Sequence, residues 1–133
     1  MTRAIQQRVR FSVSAERLFA TYVHSKQHSA ATGAKATVSP KPGAPFTAYN
    51  GQISGRILAV IPNRMIVQTW RASHWKAEDL DSILLLTFTQ TPEGGQIDLV
   101  HANVPQHDLK GVTRGWRKYY WEPFRTYFNK QGA

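Results

Sequence analysis

Residues 115–128 carry seven aromatic side chains on what reads as a single C-terminal helix, and this stretch most constrains the fold. At about 100° per residue, Val112, Trp116, Tyr119, Tyr120, Phe124 and Tyr127 fall on one broad stripe, with Arg114, Lys118 and Arg125 on the opposite side. Trp121 lies on the shoulder of that stripe. Asp108 is placed to cap the helix N-terminus, and Gly132 lies just past its expected end. Pro123 has no amide hydrogen for the carbonyl of Tyr119, so a bend is expected there. A helix with so wide an aromatic face has to be covered by a large apolar surface. In this chain the partner is a curved sheet.

The preceding residues supply the sheet. Ile5, Val9, Phe11 and Val13 alternate with Arg8, Arg10 and Ser12, as in a half-buried strand. Ser14 then caps a helix whose apolar side is Leu18, Phe19, Tyr22 and Val23, and a second short helix runs from Gln27 to Thr32, closed by Gly33. A Lys-, Ser-, Pro- and Gly-containing loop covers 34–45. Five further strands are expected over 46–49, 52–61, 65–71, 82–90 and 96–104, broken by Asn50-Gly51, Pro62-Asn63, a longer loop and Glu93-Gly94-Gly95. These connections are mostly too short for crossover helices, which predicts an antiparallel meander and an α+β plan.

The 133 residues form one expected domain, 1–133, large enough for a core without staples. The absence of cysteine excludes disulfide scaffolds, thiolate metal sites and cysteine nucleophiles. Seventeen Lys and Arg against eight Asp and Glu give a net charge of +9, hence weak attraction to polyanions. The first eight residues contain no apolar signal segment, and no apolar run is long enough to span a membrane, so a soluble cytoplasmic protein is expected.

The large rings on the helix and on the strands suggest an apolar interior with phenolic and indole donors able to orient a ligand. They could equally pack on one another.

The motifs Gly51-Gln-Ile-Ser-Gly55 after Phe46, Pro62, Val67-Gln-Thr-Trp70-Arg71 with Trp75, Leu86-Thr-Phe88, His101-Ala-Asn-Val104-Pro105, and Gly115-Trp116 with Tyr119-Tyr120-Trp121-Glu122 cover nearly the whole chain. Together they resemble the Aha-type family, homologues of the C-terminal domain of the ATPase activator of the ninety-kilodalton heat-shock chaperone. The resemblance implies a START-like (SRPBCC), helix-grip fold, also that of Bet v-type allergens, in which a curved antiparallel sheet wraps a long C-terminal helix and often encloses an apolar pocket. It also implies a stress-response setting. Pro42-Gly-Ala-Pro45 replaces the family's Gly-Gly-x-Phe, so a stiffer loop is expected at the pocket mouth.

Three functions follow as expectations. The first is non-catalytic binding of a small hydrophobic molecule by Phe46, Tyr49, Trp70, Phe88, His101, Trp116 and Tyr120. The second is a protein-interaction module that regulates a heat-shock chaperone ATPase or another acidic partner through Arg114, Lys118 and Arg125. The third is a cyclase-like enzyme in which an inward His101 acts as general base. Alternation puts His101 with Ile97, Leu99 and Asn103, while Val100, Ala102 and Val104 compete for the inner face. His24 and His28 have metal-ligand spacing but lack a third ligand, and read as two solvated histidines. Glu78, Asp79 and Asp81 read as a solvated loop. The basic helix face with Trp121 as a stacking ring admits nucleic acid, but no base-reading motif accompanies it. No cofactor or metal is expected.

Overall fold

The computed structural model describes residues 2–132. The first strand, β1 (Thr2–Phe11), leads to α1 (Ala15–Val23) and α2 (Ser25–Thr32). Five strands follow: β2 (Pro45–Ala48), β3 (Ile53–Ile61), β4 (Met65–Ala72), β5 (Ser82–Thr91) and β6 (Gly94–Pro105). The chain ends in a 3-10 turn (Gln106–Asp108) and one long helix in three parts, α3 (Leu109–Trp116), a π turn (Arg117–Trp121) and α4 (Glu122–Gly132). This is the α+β plan read from the sequence, with element ends shifted by a few residues. Ser14 caps α1, its Oγ accepting from the Arg17 amide at 3.1 Å, and Gly33 closes α2 at φ 81°.

The six strands form one antiparallel sheet in the order β1-β6-β5-β4-β3-β2. From β2 to β6 it is the expected meander. The first strand joins the last, leaving β1 and β2 as its edges. Alternation directs Ile57, Ile66, Gln68, Trp70, Leu84, Leu86, Phe88, Ile97, Leu99 and His101 to the face covered by the helices. At Asn103 the backbone turns to φ 63°, and the β1 register slips between Arg3 and Ile5. That bulge resets the phase, so both His101 and Val104 are buried. The two competing faces of β6 are each inward, on either side of the bulge.

The C-terminal helix departs from the ideal stripe at Pro123. Lacking an N–H, Pro123 cannot supply the Tyr119 carbonyl with its α-helical donor, and Glu122 N–H reaches back to Arg117 C=O, one residue further than in an α-helix. The Tyr49 hydroxyl donates to the Tyr119 carbonyl. The extra residue in this turn rotates the helix face. Trp121 is thereby buried and stacks on Trp116 at 5.5 Å and 21°, Phe128 is buried with Tyr127 half-buried beside it, and Tyr119 is 46 % exposed. The assignments of Trp121 to the shoulder and of Tyr119 to the stripe are therefore corrected. The helix also continues through Gly132 rather than ending before it.

Asp108 occupies the N-cap position but does not cap the helix; its Oδ2 accepts from Trp75 Nε1 at 2.7 Å and from His74 Nε2 at 2.9 Å. The 40–45 loop is docked on β3 by Gly43 N–H to Ile57 C=O (2.7 Å), away from the cleft described below, so it is not a pocket mouth. Among the described residues no helix is long and apolar enough to cross a membrane.

Candidate functional site

Between the C-terminal helix and the β2–β4 side of the sheet lies a cleft of about 310 Å³, open to solvent on one side. Trp70, Val112, Trp116 and Tyr120 form its apolar floor with Ile53 and Ala72, while Gln52, Ser73, His74 and Asp108 supply polar atoms at the rim. Two helical glycines, Gly111 and Gly115, one turn apart, also line it. A Cβ at Gly115 would meet only Tyr119 Cδ2 within 4 Å, at 3.6 Å, so the missing side chain leaves open space. Gly115→Ala is thus expected to stabilise the domain by about 1 kcal/mol through helix propensity, read by urea denaturation. A loss would show that this space is needed by the fold. At Gly111 a Cβ would come within 2.5 Å of Asp108 Oδ1 and displace the carboxylate that holds Trp75 and His74.

Of the seven residues singled out for ligand binding, Tyr49, Trp70, Trp116 and Tyr120 line this cleft. Phe46 is packed between Tyr22 and His28, and Phe88 against Phe19, both in the closed core. His101 lies beneath the cleft, in ring contact with Trp70 and Trp116. The polar atoms of the floor are mostly committed to the protein. Trp116 Nε1 donates to His101 Nδ1 at 3.1 Å. With Nδ1 accepting, neutral His101 carries its proton on Nε2 and donates to Ser82 Oγ (2.8 Å), which in turn donates to the Trp70 carbonyl (2.6 Å). Burial lowers the His101 pKa to about 3. Both nitrogens are occupied, so the arrangement offers no free lone pair for general-base chemistry.

Tyr120 presents its ring to the cleft but gives its hydroxyl to His28 Nε2 at 2.9 Å. His28 Nδ1 donates to the Tyr22 carbonyl at 2.7 Å, the opposite tautomer from His101, and the Tyr22 hydroxyl donates to Gln68 Oε1. Burial lowers the His28 pKa to about 4 and holds the Tyr120 phenol well above its ordinary value. His28 is fully buried and His24 exposed, which corrects the reading of two solvated histidines. Residue spacing gave no sign of this, because its partners come from α1 and the C-terminal helix. Two donors differ from the rest. Tyr49, whose pKa burial and then Tyr119 push up to about 12, closes the turn at the rim. Trp70 Nε1 is buried without a hydrogen-bond partner.

Arg114, Lys118 and Arg125 are exposed on the helix, Lys118 over the Tyr119 ring and Arg125 over Phe11. Trp121 is buried, with Nε1 on Gln7 Oε1 at 2.7 Å, and is not a free ring for stacking on a base. In the acidic loop, Asp79 accepts from His107 at 2.7 Å and Asp81 from Arg71 at 3.3 Å.

A curved antiparallel sheet gripping a long C-terminal helix, with a cleft between them, defines a helix-grip, START-like protein. Solved structures with this arrangement include a Mesorhizobium loti protein (TM-score 0.83, 21 % identity, 96 % of this chain and 98 % of that one). An HSP90 activator from Plasmodium falciparum is similar (TM-score 0.81, 22 % identity, 97 % and 96 % covered). The family model described as Activator of Hsp90 ATPase homolog 1-like protein matches residues 12–129, and the chain belongs to that family. Among curated relatives, a Schizosaccharomyces pombe protein is 28 % identical over 96 % of this chain and 38 % of its own length. The human activator of 90 kDa heat shock protein ATPase homolog 1 is 26 % identical over 89 % of this chain and 35 % of its own length. The chain thus spans about a third of these relatives.

Proposed function

We propose that the domain binds a small, largely aromatic molecule in the cleft between β4 and the C-terminal helix. The carrying observation is a cleft of about 310 Å³ over an indole and phenol floor, with Gly115 leaving open space in its wall where a larger side chain would reach in. That volume is at the lower end of about 300–1,000 Å³ for ligand sites, and suits a one- or two-ring compound better than a long-chain lipid. A ligand present at a hundredfold excess over Kd should add about 2.7 kcal/mol of stability. Native mass spectrometry of freshly purified protein tests the reading: a bound mass in the range of a one- or two-ring compound is expected. No adduct, together with no thermal shift across an aromatic and lipid library, would remove it.

The names of the human relative and the Plasmodium structure favour a second reading, in which the domain docks on a heat-shock chaperone and alters its ATPase. Arg114, Lys118 and Arg125 then meet an acidic partner. Chaperone ATPase turnover with this chain added, beside its triple Glu variant, measures it; an unchanged turnover would count against it.

A further inference from the structure

On the opposite flank of the C-terminal helix a second, shallower trough of about 730 Å³ runs between that helix and β1. Gln7, Arg8 and Val9 form one wall, Thr113, Arg114, Arg117, Glu122 and Arg125 the other, and Trp121 the floor. Four arginines thus face one carboxylate. Their present partners are weak competitors: Arg8 pairs with Asp98 at 2.7 Å with 64 % of its side chain exposed, and Arg117 with Glu122 at 3.5 Å with 80 % exposed. Arg114 has no ion-pair or hydrogen-bond partner among the described residues, and Arg125 rests on the Phe11 ring at 5.0 Å. The strand beside this trough is a sheet edge of ten residues. On such an edge every second residue directs its N–H and C=O away from the neighbouring strand, and among the described residues no hydrogen bond from another segment occupies them.

We propose that this trough takes an extended acidic segment of a partner protein, which adds as a strand to the outer edge of β1 while its carboxylates meet Arg8, Arg114, Arg117 and Arg125. Backbone pairing supplies a register and the arginines select the charge. A second copy of the chain is a poor occupant, because β1 itself carries Arg3, Arg8 and Arg10 and two such edges repel. The inference deepens the second reading above by naming the chemistry of the docked segment. A free-peptide probe keeps the two separable: the peptide can bind where no chaperone does, and a chaperone can dock without protecting β1.

The test uses a ten-residue peptide of alternating Glu and Val, its Lys–Val counterpart, and a Glu–Val peptide N-methylated at alternate amides, which keeps the charge and blocks strand pairing. Calorimetry should show the acidic peptide binding at least tenfold tighter than either control, with slowed amide exchange confined to β1. Arg114→Glu with Arg125→Glu should lose at least tenfold. Equal binding of the N-methylated peptide to wild-type protein, or equal β1 protection by an oligonucleotide, would reduce the trough to non-specific charge attraction and overturn the proposal. So would unslowed β1 exchange at low salt.

Discussion

Trp116→Ala is expected to remove about 3 to 5 kcal/mol of folding stability, the range for truncating a large buried aromatic. Trp116 is 3 % exposed and touches Trp70, His101, Tyr120 and Trp121, so its loss opens a cavity at the junction of helix and sheet. It also removes the donor to His101 Nδ1, leaving a buried acceptor unpaired. Trp116→Phe separates the two effects, since it keeps most of the packing and loses only the indole N–H; about 1 to 3 kcal/mol is expected there. Trp121→Ala should cost as much as Trp116→Ala, because the π turn stacks the two rings in the same core. Chemical denaturation of the three variants measures this. A Trp121→Ala loss below about 1 kcal/mol would mean that the ring is on the surface and the helix is not wound as described.

The second large effect is acid instability. His28 and His101 are both held neutral by burial, with pKa values lowered to about 4 and about 3. Their unfolded values lie near 6.5. Above about pH 6.5 both states are neutral and the stability is fully present. Below it the unfolded chain takes up protons that the folded protein refuses, so stability falls with pH until the folded values are reached. Two such groups together remove about 3 kcal/mol between pH 6.5 and 5. Urea midpoints at those two pH values read the effect, and His28→Asn and His101→Asn should each flatten the slope whatever their own stability. A profile flat through this window would show that both imidazoles titrate normally in the folded protein.

Most of the fold could be read from local chemistry. Ser14, Gly33, Asn50-Gly51 and Glu93-Gly94-Gly95 act within a few residues of where they stand, so helix starts and hairpin turns follow from composition. The pairing of β1 with β6 could not be derived this way, because it joins residues far apart in sequence, from Thr2 with Pro105 to Phe11 with Gly95, and no turn records it. The helix face went astray at one point for a specific reason. Period counting assumes a constant turn, and Pro123 adds a residue to the turn before it. Trp121 and Phe128 turn inward and Tyr119 outward as a result, while Tyr127 is half-buried against the core. At Asn103 the same kind of slip, a bulge in β6, made the inward direction of His101 undecidable from alternation.

The site was half legible. Tyr49, Trp70, Trp116 and Tyr120 follow from ring size and placement on facing elements, and they meet at the cleft. Phe46 and Phe88 have the same residue-level signature and are core, because what separates a lining ring from a packed one is the empty volume beside it. Gly115 leaves part of that volume open, while the space beside Gly111 is taken by the Asp108 carboxylate. Two glycines one turn apart on an aromatic helix were the available signal, one that helix propensity disfavours unless space is needed.

The most direct measurement of ligand binding at this cleft is a tryptophan-fluorescence titration with small aromatic and alicyclic compounds, run on the wild type beside Gly115→Leu. Trp70 and Trp116 form the floor, so saturable quenching or a spectral shift is expected in the wild type. In Gly115→Leu the side chain occupies the open space next to Tyr119, and the response should weaken at least tenfold while the domain stays folded by circular dichroism. A wild-type response that Gly115→Leu leaves unchanged would place binding elsewhere and contradict the assignment of this cleft.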